Sequence, residues 1–256
     1  MRRSSMPLFV TAGVLVFFYL PLVLVVANSF NSARFGGAWA GFTLDWYSKL
    51  FNDRYLLDAL KNTLIIAFGS TITSMVLGTA AAFALHRFQS TLQFTHNILI
   101  YTPLVVPDIL MGISLLLFFV GLNIELGLFT IYLAHVTFCL SYVAMVVLAR
   151  LQDFDFSVIE AAMDLGANQR TAVRKILLPM IAPGIVAGGL LAFTLSLDDF
   201  VITFFVSGPG SGTLPIYIYS MMKHGSPTVI NALSVLFLVV TFITVVLTKK
   251  LLKEKV

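Results

Sequence analysis

Three carboxylates interrupt long apolar stretches of this chain and are its strongest candidates for chemistry. Asp108 lies in "TPLVVPDILMG", and Asp198 and Asp199 form a pair in "FTLSLDDFVITFF". A charged side chain at the centre of a membrane-spanning helix costs about 2.5–3.5 kcal/mol on insertion scales, so each acid is expected to face a cavity or a partner. Neither stretch contains a lysine or an arginine. The three acids therefore predict a site that attracts a cation.

The positions of these acids along their segments decide whether they share a layer. Counted from the cytoplasmic end of its segment at about 1.5 Å per residue, Asp108 lies at a depth of roughly 15 Å. Asp198 lies at a depth of roughly 21 Å if its segment enters the membrane near Gly184. The two acids could therefore share a layer. Adjacent helical residues project about 100° apart, so only one of Asp198 and Asp199 is expected to face a pore. Pro107 before Asp108 is also a common helix-start pairing, and Asp108 could instead cap a half-helix in a broken span.

The elements that must position the acids are membrane-spanning helices. The chain of 256 residues is 59% hydrophobic and 11% charged, whereas soluble domains have roughly 45–50% apolar and about 25% charged residues. Its apolar runs do not alternate, which argues against a β-barrel. Since a spanning helix needs about 20 apolar residues, the runs predict an all-α integral membrane protein that forms a single domain over residues 1–256. The predicted spans are about 7–27, 62–85, 98–121, 127–149, 176–206 and 229–248.

Basic residues are distributed unequally between the two sides of this topology. With six spans both termini lie on one side, and that side holds 11 of the 16 lysines and arginines, against 5 on the other. The larger set is Arg2, Arg3, Arg87, Arg150, Arg170, Arg174, Lys175, Lys249, Lys250, Lys253 and Lys255. Because cytoplasmic loops carry such an excess, both termini and the loop 150–179 are expected to face the cytoplasm. The basic residues are dispersed, so the net charge of +4 does not indicate nucleic-acid binding.

Two further segments have an informative composition. The segment 62–85 is rich in Gly, Ala, Ser and Thr, which predicts close packing inside a bundle. The predicted outer loop 28–61 mixes aromatic and charged residues at helical spacing, which suits a short helix at the membrane surface. Its Trp46 and Tyr47 are either interfacial anchors or part of an outer vestibule. The later outer stretch "SGPGSGTLP" is expected to be a flexible connection.

The stretch "EAAMDLGANQRTAVRKILLP" is unusually polar for its position between apolar runs. Ser157 followed three residues later by Glu160 is a capping-box pattern, which predicts a short helix from the next residue onward. Gly166 suits the left-handed residue that ends a helix, and Asn168 suits the cap of another. We therefore expect a helix, a glycine turn and a second helix, with Pro179 where the second helix enters the membrane.

This polar stretch resembles the EAA motif of the membrane subunits of ABC importers. The matching residues, at the spacing of the motif, are Glu160, Ala161, Ala162, Gly166, Ile176, Leu178 and Pro179. The resemblance implies a coupling helix that sits in a cleft of a separate ATPase subunit. The residues that it assigns to coupling are Glu160, Ala161, Ala162, Asp164 and Gly166. It also implies the type I ABC importer permease fold, with six transmembrane helices, in a bacterial inner membrane.

The same resemblance implies the partners of the chain. Two ATPase subunits would bind ATP and Mg²⁺, and their closure would rock this permease against a second, homologous permease subunit. Lipid would surround the helices. The chain itself contains no G-x-x-x-x-G-K-[ST] sequence and no Gly-Lys pair. It is therefore expected to bind no cofactor and to be a non-catalytic subunit.

The acidic stretches also resemble those of the permeases of polyamine (spermidine/putrescine) ABC importers, and this resemblance covers nearly the full chain. It implies polyamine cargo delivered by an extracytoplasmic polyamine-binding protein. Spaced carboxylates would bind the ammonium groups of such a cargo, and aromatic faces would contact its methylenes. The first candidates for the substrate path are Asp108 and Asp198, followed by Asp199. Trp46 and Tyr47 are weaker candidates at the outer mouth.

Other function classes have less support from the residues. An ABC importer of anionic cargo would favour cationic or helix-terminal ligands, which the apolar segments lack at mid-depth. A proton-driven secondary transporter could use buried aspartates, but six spans without an inverted repeat make a poor carrier. The 4 histidines lack the spacing of a metal site. Among them, His135 is expected to form a hydrogen bond between helices.

Overall fold

The computed structural model describes residues 6–34, 38–87, 92–224 and 227–253, with side chains for 8–34, 38–87, 92–223 and 228–243. The regular elements in these ranges are helices, beside one isolated antiparallel bridge between Asn31 and Phe42. The helices are α1 (Met6–Ser29), α2 (Asp45–Asn52), α3 (Arg54–Arg87), α4 (Gln93–Val105), α5 (Asp108–Gly121), α6 (Leu128–Gln152), α7 (Ser157–Asp164), α8 (Gln169–Ala172), the π-helical turn π1 (Val173–Leu177), α9 (Leu178–Asp198), α10 (Val201–Val206), α11 (Leu214–His224) and α12 (Pro227–Lys253).

These helices form two compact units. The first comprises Met1–Leu57 and Tyr217–Val256, and the second comprises Asp58–Ile216. The sequence-based expectation of one permease domain over residues 1–256 stays a prediction.

The first unit contains the predicted helix of the outer loop. That helix is α2, and it packs against α12, which also packs along α1. The loop is shorter than predicted, because α3 begins at Arg54. Asp53 explains this early start: its Oδ1 accepts hydrogen bonds from the backbone N–H groups of Tyr55 (2.9 Å) and Leu56 (3.2 Å). Such a side chain satisfies N–H groups that have no partner at a helix start.

The predicted span 98–121 consists of two helices. α4 and α5 are inclined at 115° to each other. Pro107 lacks an N–H group and disfavours helical geometry at the residue before it, and Val106 is extended, with φ −69° and ψ 129°. The predicted depth of Asp108 assumed one straight helix through this span, and that assumption is wrong. The alternative of a half-helix in a broken span is confirmed, but Asp108 is the first residue of that helix and makes no side-chain capping hydrogen bond.

The predicted span 176–206 is also broken. Helical structure starts earlier, at Gln169, runs through π1 into α9 and ends at Asp198. Asp199 is extended, with φ −62° and ψ 121°, and α10 follows. The 100° argument for Asp198 and Asp199 assumed a continuous helix and is wrong for that reason. Pro179 lies in the first turn of α9, where a missing N–H group costs little.

Fewer than the predicted six long apolar helices are found among the described residues. In the described ranges, four helical segments are long and apolar enough to span a membrane, or five if the bent pair α4–α5 is one span. The described apolar part of α12 is shorter, Thr228–Ile243.

α11 lies in a stretch for which no helix was predicted. Its first N–H group, from Leu214, donates to the hydroxyl of Thr63 on α3 (2.8 Å). The amide of Asn62 donates to the carbonyl oxygen of Gly212 (3.0 Å). These long-range bonds are not visible in the local composition of the loop.

The second unit is built around α6, which packs along α9 and also contacts α4 and α10. The predicted close packing of the small-residue helix is confirmed. Ser70, Ser74 and Gly78 of α3 are buried. A Cβ atom on Gly78 would lie 2.9 Å from the carbonyl oxygen of Leu140 and from Cβ of Val143. Only glycine lets the α3 and α6 backbones approach this closely.

Candidate functional site

The three predicted acids meet at one cavity in the second unit. It has a volume of about 250 Å³ and lies where both broken spans change direction. Its lining includes Asp108, Asp198, Asp199, Phe138, Tyr142 and Phe200. The helix breaks bring the acids together: one break starts α5 at Asp108, and the other ends α9 at Asp198. The cavity therefore combines acidic groups with aromatic faces.

Asp108 and Asp198 present exposed carboxylates at this cavity. Asp108 is the first residue of α5 and makes no side-chain capping hydrogen bond there. Both carboxylates are accessible to a ligand in the cavity.

Asp199 is held differently, because it caps α10. Its Oδ2 accepts hydrogen bonds from the backbone N–H (2.8 Å) and the hydroxyl (2.7 Å) of Thr203. Its Oδ1 accepts from the backbone N–H of Ile202 (3.3 Å). The Nε2 atom of His135 lies 3.4 Å from Oδ2. These four contacts fix the orientation of the Asp199 carboxylate.

His135 joins several helices, as predicted. Its Nδ1 lies 2.7 Å from Oγ of Ser196 on α9, and its Nε2 lies 2.9 Å from Oγ1 of Thr203 on α10. Ser196 Oγ is in turn 3.1 Å from Oγ of Ser70 on α3. All of these side chains are buried. The sequence analysis missed Ser70, Ser196 and Thr203, since isolated hydroxyl residues in apolar helices carry little sequence signal.

Trp46 and Tyr47 are not among the residues that line the acidic cavity. Both lie in the first unit. Trp46 is only 7% exposed, and its Nε1–H donates to the carbonyl oxygen of Asn31 at 2.7 Å. The hydroxyl of Tyr47 lies 2.8 Å from that of Ser29. These contacts hold α2 against the end of α1 and the segment that follows it. A role at an outer mouth stays a prediction.

The polar stretch forms the predicted helix, turn and helix. Gly166 has φ +92°, a left-handed conformation in which a residue with a side chain is strained. Asn168 caps α8, since its Oδ1 accepts from the N–H of Thr171 at 2.8 Å. The predicted capping box of Ser157 and Glu160 is wrong, because Ser157 is the first residue of α7 and makes no cap.

Asp155 stabilises the start of α7 instead. Its Oδ1 accepts a hydrogen bond from the backbone N–H of Ser157 at 3.0 Å. This bond holds the pKa of the Asp155 carboxyl below its usual value. The sequence signal was present, because an aspartate two residues before a helix is an ordinary capping residue.

α7 has two different faces. Phe156 and Ile159 turn inward and pack on the core of the second unit. The five predicted coupling residues are exposed except Ala162, which is half-buried. Leu165, at the end of the helix, is 90% exposed. α7 therefore has one face anchored on the core and one exposed face of mixed apolar and polar residues.

A protein-family model matches the part of the chain that contains the acidic cavity and α7. Residues 74–253 match the model of the family described as binding-protein-dependent transport system inner membrane component. The chain belongs to this family. It is therefore an inner-membrane component of a transport system, and the acidic cavity and α7 both lie within the matched residues.

Two bacterial relatives share most of this permease. The spermidine/putrescine transport system permease protein PotC of Escherichia coli (strain K12) is 40% identical over 247 residues, which is 96% of this chain and 93% of PotC. The putrescine transport system permease protein PotI of the same strain is 46% identical over 231 residues, 87% of this chain and 82% of PotI. The permease is thus similar to two polyamine permeases along most of its length.

Solved ABC transporters share the fold of the permease. A bacterial ABC transporter involved in the import of the acidic polysaccharide alginate has a TM-score of 0.74, covers 98% of each chain and is 16% identical. The MetNI methionine ABC transporter has a TM-score of 0.62 and 19% identity, over 83% of this chain and 99% of that one. Since one of these transporters imports an acidic polysaccharide, the shared fold does not select a cationic cargo.

Proposed function

We propose that this permease is the membrane-spanning subunit of an ATP-driven ABC importer and forms half of the translocation path for polyamines. Delivery of the cargo is assigned to an extracytoplasmic polyamine-binding protein. The observation that carries the polyamine assignment is the cavity at which Asp108, Asp198 and Asp199 meet among aromatic side chains. The similarity to PotC and PotI supports the same cargo.

The chemistry of the cavity suits a flexible polycation. The exposed carboxylates of Asp108 and Asp198 offer two separate positions for ammonium groups, and charge-assisted hydrogen bonds of this kind are stronger than neutral ones. Phe138, Tyr142 and Phe200 offer aromatic faces for methylenes and for cationic charge. A second, homologous permease subunit would supply the other wall of the path.

The exposed face of α7 supports docking of an ATPase subunit. Its helix is eight residues long, it is closed by the Gly166 turn, and its inner face is anchored by Phe156 and Ile159. An anchored helix can transmit a push from a partner to the helices on which it packs. ATP and Mg²⁺ are assigned to two such ATPase subunits, and no cofactor is assigned to this chain.

The proposed topology has six spans and cytoplasmic termini. It counts α4–α5 as one span and α12 as the sixth, and it is supported by the excess of basic residues on one side. On this topology α7 faces the cytoplasm, which is where an ATPase subunit must bind.

Charge removal at the cavity tests the polyamine assignment. We expect Asp108→Asn and Asp198→Asn each to lower spermidine or putrescine uptake about tenfold, the factor that corresponds to about 1.4 kcal/mol of lost binding. The measurement is uptake into proteoliposomes that contain the complete transporter and its binding protein. Glu125→Gln is the matched control, because Glu125 is an exposed acid in the same unit outside the cavity lining. Uptake as in the wild type by both aspartate variants, with normal subunit assembly, would refute the cation site.

A further inference from the structure

We infer that His135 is a positioning residue that commits Asp199 to capping α10 and so leaves Asp198 as the carboxylate of the pair that binds the cation. This inference rests on the proposed function, and it concerns how two adjacent, identical side chains acquire different roles.

The hydrogen-bond network assigns the proton on one ring nitrogen of His135. A threonine hydroxyl has a single hydrogen, and that of Thr203 is donated to Oδ2 of Asp199 at 2.7 Å. Thr203 Oγ1 must therefore accept in its 2.9 Å contact with Nε2 of His135. Asp199 Oδ2, 3.4 Å from the same nitrogen, is an acceptor as well. Nε2 consequently carries a proton that it directs at Thr203 and Asp199.

The other ring nitrogen anchors the ring from the opposite side. Nδ1 lies 2.7 Å from the hydroxyl of Ser196, which donates to this nitrogen if the imidazole is neutral and accepts from it if the ring carries both protons. Ser196 lies next to Ser70, on α3, at 3.1 Å between the two oxygens. His135 is 1% exposed and Ser196 is 3% exposed. The imidazole is therefore held between α9 and α10 by bonds that no water competes for.

These contacts give the two neighbouring aspartates different roles. Asp199 receives two backbone N–H groups and the hydroxyl of Thr203, with the Nε2–H of His135 behind them. A carboxylate engaged in this way has little capacity left for a cation in the cavity. Asp198, one residue earlier, ends α9 and is exposed. If the proton donor of His135 is lost, Asp199 and the α9–α10 junction lose one of their restraints, and the geometry at Asp198 loosens.

Two substitutions of His135 separate this role from simple burial. The amide of asparagine takes the position of Nδ1, beside Ser196, whereas that of glutamine reaches the position of Nε2, beside Thr203. His135→Gln can therefore keep the donor to Thr203 and Asp199, and His135→Asn cannot. Both variants replace the ring by a neutral amide, but asparagine is one methylene shorter. Loss of packing alone therefore predicts a lower melting temperature for His135→Asn, whereas the positioning role predicts a lower uptake ratio at an unchanged melting temperature.

The measurement is spermidine uptake per ATP hydrolysed by the complete transporter in proteoliposomes, stimulated by spermidine-loaded binding protein. We expect His135→Asn to lower this ratio about tenfold, which corresponds to about 1.4 kcal/mol. ATP hydrolysis and subunit assembly should stay normal. His135→Gln should stay within about twofold of the wild type, a difference of about 0.4 kcal/mol. Equal ratios for the two variants would overturn the inference.

A second pair of variants decides the matter if neither His135 variant assembles. Thr203→Ser keeps the hydroxyl that links His135 to Asp199, and Thr203→Val removes it. The valine variant alone should lose uptake relative to ATP hydrolysis, and equal behaviour of the two would overturn the inference. Asp198→Asn serves as the reference: normal uptake by this variant refutes the cation site itself. A defect in Asp198→Asn together with equal ratios in the paired variants refutes only the positioning role.

Discussion

Gly166 offers the sharpest test of the proposed coupling helix, because its environment isolates one physical effect. Its φ of +92° disfavours a residue with a side chain, yet a Cβ atom there would meet no other atom within 4 Å. Gly166→Ala therefore adds backbone strain without a clash. A left-handed conformation costs an L-residue roughly 1–2 kcal/mol. If the strain is relieved when the turn opens, the docked conformation of α7 becomes less populated by a factor of about 5–30.

The assay is the affinity of the ATPase subunits for the permease in detergent or nanodiscs, together with uptake. We expect Gly166→Ala to weaken ATPase binding by that factor while membrane insertion stays normal. Gly166→Asn should be milder, since asparagine tolerates left-handed backbone better than alanine. Gly13→Ala is the matched control, because a Cβ atom on Gly13 would also meet no other atom within 4 Å and Gly13 does not have a positive φ. Full ATPase affinity in Gly166→Ala would refute the role of this turn in docking.

Two further predictions concern stability. Gly78→Val should destabilise the α3–α6 contact by about 1–3 kcal/mol, as overpacking does. The reason is that even a Cβ atom at this position would lie 2.9 Å from atoms of Leu140 and Val143. Thermal unfolding of the purified permease measures the effect, and an unchanged melting temperature contradicts it. At the start of α7, the bond to Ser157 lowers the pKa of the Asp155 carboxyl in the folded protein. The bond therefore stabilises the folded helix at any pH above the ordinary carboxyl pKa of about 3.9. This stabilisation is lost as the pH falls through the lower pKa of the folded state. The protection factors of the α7 amides, which correct for the slower intrinsic exchange in acid, should therefore fall in acid in the wild type but not in Asp155→Asn, and identical pH profiles would contradict this.

The same fold serves different cargoes, so the fold alone does not select among them. The alginate transporter shares the fold at 16% identity, and its cargo is an acidic polysaccharide. In this permease the cavity at the two helix breaks is acidic. Selectivity for a cation is therefore expected to depend on side chains at the breaks, and the helical scaffold to depend on packing around α6.

Much of the scaffold could be predicted because its signals are local. Long apolar runs require helices in lipid, since every backbone polar group must be satisfied within the segment. The Gly166 turn and the Asn168 cap were readable for a similar reason, because each depends on a few neighbouring residues. The capping box at Ser157 failed because Asp155, a stronger competitor nearby, bonds the N–H group of Ser157.

The breaks in the helices were harder to predict than the helices themselves. Pro107 marked one break, and the alternative of a half-helix at Asp108 followed from it. Nothing comparable marks the break after Asp198, where the Asp199 side chain bonds backbone N–H groups of the next helix. The position of α11 depends on Thr63 and Asn62, about 150 residues earlier in the chain. Local periodicity contains no information on such contacts.

The sequence by itself determined that this is a helical membrane protein, where its polar helix–turn–helix lies, and which carboxylates are costly enough in an apolar segment to need a function. Only the tertiary structure decided that these carboxylates share a cavity and that Asp199, bonded through Thr203 to His135, differs from the exposed Asp198 beside it. The physical reason is the distance along the chain over which each interaction acts. Composition and capping act over a few residues, whereas the directions of two broken helices and the partners of a buried imidazole are set by packing between segments far apart in the chain.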